Sequence, residues 1–364
     1  MSVENKVFRL RSCIAIVHLG QIVEFFDSNL RVGFSIEQSY PEIIGLLHRF
    51  DGSLTVSSIS ALYPEILIHE LCALALFLQE KYVLIEVNEP YSQSDVDSRP
   101  RLINTLESYF HSTSEVKKAI SQGSKASVLI IGLGAVGSWV LHCLIKAGVQ
   151  NITVMDDDVV EASNLHRQDL FFEADVGKPK ATTARDSIRH SYGIEIKAIC
   201  KKMESVEDLG SLPNTQNLII NCADFPSVDK TSRLVSDFCL KYKTPHIIGG
   251  GYNLHLTLIG QVVIPGLTAC FHCFDQVLTP TNAADLFGVK KLNRKTRKIG
   301  SIGPVCGVSA SITATEAIKV IFGAPLQFLA VVNKRVEFNL SNFDFGAFTV
   351  SRNTVCKYCS NDTI

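Results

Sequence analysis

Tryptophan occurs once in 364 residues, methionine three times, and all aromatic residues together make up 8% of the chain. No run of rings interleaved with cations is available to stack nucleic-acid bases. Net charge is equally sparse: 35 basic against 36 acidic residues leave −1. No overall field therefore draws the chain to nucleic acid or to an anionic membrane. The start, Met1-Ser2-Val3-Glu4-Asn5-Lys6, has no cationic stretch leading into an apolar one, so no secretory signal is expected. The longest apolar stretch, Val128 to Val149, is broken by His142, Lys146 and several glycines, and reads as strand, tight turn and helix rather than a membrane span. Internal repeats are missing too. With 46% apolar and 20% charged residues, the composition predicts a globular, cytoplasmic protein of two or three domains.

Cysteine, by contrast, is plentiful. Eleven is an odd count, which argues against a complete disulfide framework and for reduced thiols. Four of them form two knuckles, Cys270-Phe271-His272-Cys273 and Cys356-Lys357-Tyr358-Cys359. Two such pairs supply the four thiolates of a closed tetrahedral Zn²⁺ site, with no ligand position left for chemistry. Its expected role is to pin the C-terminal tail, with His272 a bystander.

Three regions are expected along the chain. Residues 1–90 begin with two or three strand-like runs (Phe8–His18, Gln21–Phe26, Asn29–Phe34). An amphipathic segment at Glu37–Arg49 follows, then a turn at Phe50–Ser53, helical spacing at Thr55–Leu62 and Ile66–Gln79, and a closing strand at Tyr82–Val87. That order suggests a small winged-helix-like unit. Residues 91–124 are expected to be linker and helix, polar up to Pro100 and helix-like from Arg101 to Gly123. From 125 to 364 strands alternate with helices, which predicts an α/β, Rossmann-like domain with a mostly parallel sheet.

At the head of that domain, Gly132-Leu133-Gly134-Ala135-Val136-Gly137 sits between a strand and a helix, and Asp156 ends the next strand. The glycines permit a tight turn and let backbone N–H groups approach phosphate, the helix N-terminus adds partial positive charge, and the acid suits ribose hydroxyls. Asp157 and Asp158 compete for that role, and strand register favours Asp156. A nicotinamide dehydrogenase is the obvious reading, yet Asn164-Leu165-His166-Arg167-Gln168 and Gly177-Lys178-Pro179-Lys180 follow closely. So many donors suit a triphosphate rather than hydride transfer.

These motifs, with "MDDD", "SNLHRQ", "DVGKPKA" and "NCADFPSV", resemble the adenylating fold shared by ThiF, MoeB and ubiquitin-activating enzymes, over residues 125 to 364. The resemblance implies that Asp156 holds the ribose of ATP and that Asn164, Arg167, Gln168 and Lys180 contact the phosphates. It implies that Asp224 holds Mg²⁺, and that the enzyme is a homodimer taking an arginine from the other protomer. Arg101 is the candidate for that arginine, with Arg99 the rival. The set is chemically coherent, because attack of a carboxylate on the α-phosphorus needs charge neutralised on the leaving group and little covalent help.

Members that form a thioester carry a cysteine in the segment crossing the active site. Phe274 to Gly303 contains none, and Cys306 does not match that nucleophile, so activation of a sulfur-carrier or ubiquitin-like protein is the weaker alternative. The same segment holds six cations in Lys290–Lys298, which read either as a solvated loop or as an attractor for an acidic substrate. Residues 8–87 resemble the peptide-recognition elements of ribosomal-peptide natural-product enzymes, which grip a leader peptide as an added strand. An adenylating domain preceded by such a unit resembles the peptide-modifying members of the pantocin A and microcin C types. The expected function is adenylation of a carboxyl-type group, a glutamate side chain, in a precursor peptide, followed by intramolecular condensation. Microcin C-type peptide–AMP synthesis is the alternative, and a silent peptide-binding scaffold stands further off. Tyr252 and His255 are possible assistants, with packing as their default.

Overall fold

The structure, a computed structural model, describes residues 2–37, 40–210, 216–285 and 300–360. The chain divides into two compact units, Met1–Ser121 and Gln122–Ile364.

The first unit opens with strands β1 (Val7–Leu10), β2 (Ile14–Leu19), β3 (Ile22–Asp27) and β4 (Val32–Glu37). Helix α1 (Ile43–His48), strand β5 (Asp51–Thr55), helices α2 (Val56–Leu62) and α3 (Ile68–Glu80) and strand β6 (Leu84–Glu86) follow. β1 is the centre of one antiparallel sheet, β5-β1-β6, and β2-β3-β4 form a separate antiparallel meander. Phe8, Phe25 and Phe50 fill a core with Leu46, Leu47, Ile59, Leu71 and Leu78 from the three helices.

Two local expectations are corrected. Residues 51–53, read as a turn, extend into β5. The turn chemistry is present, with the Asp51 carboxylate accepting from the Ser53 N–H at 2.8 Å and Gly52 at φ 92°, but the backbone also completes the sheet beside β1. The polar stretch 88–100, read as linker, contains helix α4 (Gln93–Ser98). The Ser92 hydroxyl caps it by accepting from the Asp95 N–H at 3.1 Å, a local bond that outweighs the weak apolar pattern. The helix expected at 101–123 is two helices, α5 (Pro100–Glu107) and α6 (Thr113–Lys125). At the end of α5 the buried Glu107 takes the Arg9 guanidinium at 2.7 Å and the Tyr91 hydroxyl at 2.8 Å.

In the second unit, β7 (Ser127–Ile131), α7 (Ala135–Lys146), β8 (Asn151–Met155), α8 (Lys180–Tyr192) and β9 (Lys197–Ile199) lead to α9 (Val206–Gly210), β10 (Leu218–Asn221), α10 (Val228–Lys241) and β11 (His246–Ile248). Then come β12 (Tyr252–Asn253), β13 (Leu256–Ile259), β14 (Gln261–Val263), α11 (Phe271–Asp285), α12 (Gly303–Ile321), β15 (Lys334–Asn339) and β16 (Asp344–Thr349). The main sheet has the order β14-β11-β10-β7-β8-β9, parallel except for β14. β7 and β10 read as unbroken apolar runs because both of their faces are covered. They are neighbours, yet from β7 the chain continues to β8 and β9 on one side, and from β10 to β11 on the other. That reversal opens a crevice at their C-terminal ends, where ligands of such sheets bind. A second sheet, β12-β13-β15-β16, is antiparallel. α12, long and apolar enough to cross a membrane, buries Val305, Cys306, Ala310, Ala314 and Ala317 in the body of the unit.

Candidate functional site

The crevice is walled by loops that the sequence forces close together. Gly132, directly after β7, has φ 86°, and a Cβ there would meet the Ala223 nitrogen at 2.7 Å. A Cβ on Gly137 would fall 1.9 Å from the Gly132 carbonyl oxygen. Only glycine allows the turn, the start of α7 and the loop after β10 to touch. Gly134 differs: a Cβ there would meet nothing within 4 Å, so this part of the turn faces open space.

Asp156 is 8% exposed, whereas Asp157 and Asp158 are exposed. Its carboxylate accepts the Leu133 N–H at 2.5 Å and the Asp158 N–H at 2.8 Å, which ties the glycine turn to the end of β8. Burial holds its carboxyl above the usual carboxylate range, against the opposing pull of those N–H groups and Lys180. Lys180, 5% exposed at the start of α8, donates to Asp158 at 2.9 Å. Its ammonium is thus held on the Asp156–Asp158 side of the crevice by a partner that solvent also reaches.

The buried Asn164 accepts the Glu161 N–H at 3.1 Å and closes the short turn that presents Arg167 and Gln168. Arg167 donates to the Ser163 carbonyl at 2.6 Å and lies 2.9 Å from His166 Nε2, while its Nε is buried with no partner. Gln168 is buried and its Oε1 also lacks a partner. The orphaned Arg167 Nε–H is a buried donor that suits an anion such as a triphosphate, whereas the orphaned Gln168 Oε1 is an acceptor and calls for a donor. Gly303, at the start of α12, packs near the His166 carbonyl and Arg167 Cα. Cys306, one turn on, is buried; burial pushes its thiol up, while Arg167, Ser301 and Tyr252 pull it down.

Asp224 is exposed on the loop after β10. That loop is fixed by the buried Asn221, whose amide donates to Thr231 at 3.1 Å and whose oxygen accepts the Ala223 N–H at 3.2 Å. Arg99 and Arg101 belong to the first unit: Arg99 is paired with Asp95 at 2.5 Å, and Arg101 is exposed on α5. His255 is exposed. The basic run Lys290–Lys298 lies outside the described residues.

One network escaped the sequence reading. Asp169, next to Gln168, accepts from His142 Nδ1 at 2.8 Å, and the Tyr192 hydroxyl meets His142 Nε2 at 2.5 Å. This chain fastens the loop that carries Arg167 and Gln168 to α7 and to the end of α8.

At the metal site, Cys270 Sγ lies 3.7 Å from Cys273 Sγ and 3.9 Å from Cys356 Sγ, and Cys273 Sγ lies 3.7 Å from Cys359 Sγ. Tetrahedral zinc thiolate bonds of about 2.3 Å place sulfurs about 3.8 Å apart. The four buried sulfurs therefore fit Zn²⁺. His272 faces away, 2.6 Å from Asp237 and stacked on Tyr358, which leaves the ligand set all sulfur.

A crevice with these loops is matched by a family model: that of the ThiF family fits residues 115–358. The chain belongs to the ThiF family. The molybdopterin-synthase adenylyltransferase of Escherichia coli K12 is 30% identical over 238 residues, 64% of this chain and 86% of the relative. Among solved structures, E. coli MccB with AMPCPP and MccA aligns over 97% of this chain and 99% of its own, with TM-score 0.74 and 22% identity. PaaA aligns over 94% and 100%, with TM-score 0.67 and 19% identity. The expected α/β class with a mostly parallel sheet and the resemblance to adenylating enzymes are therefore correct. This ThiF-family chain is an ATP-dependent adenylating enzyme.

Proposed function

We propose that this enzyme adenylates a carboxyl-type group, the side chain of a glutamate, in a ribosomally made precursor peptide, and that intramolecular condensation follows. One observation carries the reading. The molybdopterin relative corresponds to 64% of the chain, whereas the folds of MccB and PaaA extend over nearly all of it, first unit included. MccB is a microcin C7 biosynthetic enzyme that has been solved in complex with N-formylated MccA. In this chain the first unit would serve as a winged-helix-like leader-recognition domain. Among the described residues, its β2-β3-β4 meander has two free edges and exposed Val17, Leu19, Ile22, Leu30 and Val32, a surface suited to an added peptide strand.

In the reaction, Asp156 would fix the ribose while the N–H groups around Gly134 receive phosphate. Asp224 would hold Mg²⁺, which would supply positive charge to offset the triphosphate. Arg167 and Lys180 would neutralise pyrophosphate as a peptide carboxylate oxygen forms its bond to the α-phosphorus, and Asn164 and Gln168 would orient the same oxygens. A nitrogen of the same peptide would then attack the acyl carbon, the acyl–oxygen bond breaks, AMP leaves with the electron pair, and the nitrogen gives its proton to solvent. Arg101, or Arg99, would enter the site of the other protomer in a homodimer. The four cysteines would hold structural Zn²⁺.

The test is release of AMP and pyrophosphate from Mg²⁺-ATP, with product masses, using small acidic peptides of the producing cell and Asp224→Ala as control. Peptide-dependent AMP release with mass lost as water or carbon dioxide supports the reading. A mass gain equal to AMP moves the assignment to microcin C-type chemistry. Turnover only with a small protein ending in glycine would sink it.

A further inference from the structure

Phe225 follows Asp224, is 63% exposed, and carries the Lys202 ammonium over its ring, 4.0 Å from the centroid. The adenylation step uses neither residue. Lys202 comes just after β9 and Phe225 just after β10, and strands β8 and β7 lie between those two. All four strands are parallel and end level, with Asn221, Ile131, Met155 and Ile199 in register. Three strand spacings, about 14 Å, separate β9 from β10. The two loops therefore meet only by passing along the ends of β8 and β7, where Asp156 and the glycine turn stand. Met203 and Ala223 anchor both loops in one apolar cluster with Ile131 and Met155, which fixes the rim they form.

An exposed phenyl ring at the rim of a nucleotide crevice, covered by one solvent-reached cation, is a stacking platform with a cover that a base can displace. A surface cation–π contact is worth roughly 2- to 5-fold in an equilibrium, and base–aromatic stacking roughly 5- to 150-fold. A purine therefore outcompetes the ammonium. We propose that the adenine of ATP stacks on Phe225, and that Lys202 covers the ring until the purine displaces it. Glu204, 3.5 Å from the Lys202 ammonium, receives the displaced cation. The proposal rests on the reading of the crevice as the ATP site and adds the residues that recognise the base.

Titration calorimetry of the full chain with Mg²⁺-ATP and with Mg²⁺-tripolyphosphate, which has no base, tests it. Phe225→Ala is expected to weaken ATP roughly 5- to 150-fold and to leave tripolyphosphate unchanged, and Phe225→Trp to restore ATP. Lys202→Ala is expected to tighten ATP up to about 5-fold, because the competitor is gone. Phe225→Ala binding ATP as wild type does, with only the peptide's KM altered, would overturn the proposal in favour of a peptide contact. Lys202→Ala weakening both ligands equally would overturn it too, by making Lys202 a phosphate ligand. Wild-type protein that binds neither ligand would instead remove the nucleotide reading beneath it.

Discussion

Gly134 and Gly137 lie three residues apart in one turn, yet the same substitution should do opposite things at each. A methyl on Gly137 would sit 1.9 Å from the Gly132 oxygen and 3.2 Å from Cys222 Cβ. Non-bonded carbon and oxygen rest at about 3.3 Å, so α7 and the turn must part by more than about 1 Å. Overpacking of that kind costs about 1–3 kcal/mol, or a Tm lower by about 2–12 °C for a unit of this size. A misplacement of about 1 Å also costs about 100-fold in turnover. At Gly134, φ −69° and ψ −161° are open to alanine, and the methyl meets nothing within 4 Å. Gly134→Ala should keep Tm within about 1–2 °C. It should still weaken ATP at least ~10-fold, because its methyl occupies the space through which phosphate reaches the N–H groups. Thermal denaturation with and without Mg²⁺-ATP, together with AMP release, reads both effects. If Gly134→Ala binds ATP like wild type, the open turn is not the phosphate site; if it loses as much Tm as Gly137→Ala, the packing argument fails.

Lys180→Met should slow ATP–pyrophosphate exchange by about 100- to 1,000-fold, with little change in Tm, since Asp158 stays 68% exposed and hydrated; a Tm loss matching the activity loss would show a structural role instead. Metal analysis should give one zinc per chain. Cys273→Ser or strong chelation should abolish it and lower Tm, with ATP affinity of the still-folded fraction kept; zinc retained in Cys273→Ser would exclude the four-sulfur site. Burial pulls the His246 imidazole down to about 4. The unfolded chain thus binds more protons than the folded one between pH 6.5 and about 4, and stability should fall as pH drops through that window, by about 3 kcal/mol in all. Denaturant titrations of His246→Leu should show a flatter profile there, and an unchanged slope would refute the assignment.

Legibility in the sequence followed the reach of the forces involved. The strand–glycine turn–helix of β7 and α7 was readable because its steric demands act within a few residues, and the cysteine tetrad because ligand type and pair spacing are chemically narrow. Asp156 was favoured over Asp157 and Asp158 because it directly follows the last residue of β8, and it is the one of the three that is buried. Helix α4 was missed because a single cap, Ser92, stabilises a segment whose composition reads as linker. The Asp169–His142–Tyr192 chain and the Lys202–Phe225 contact were invisible for another reason. Their members sit 27, 50 and 23 positions apart, and only the sheet topology brings them together.

Asn221, Cys222 and Ala223 are touched from three directions: the places where Gly132, Gly137 and Gly249 would carry side chains all abut this short segment. The consequence is mutational. The loop proposed to hold Mg²⁺ and the loop proposed to hold phosphate share one backbone surface, so neither can be enlarged or shifted without the other answering. Paired substitutions across them should be strongly non-additive. Any attempt to retune the nucleotide preference of this enzyme through residues 223–225 will therefore have to vary the glycine turn in the same library.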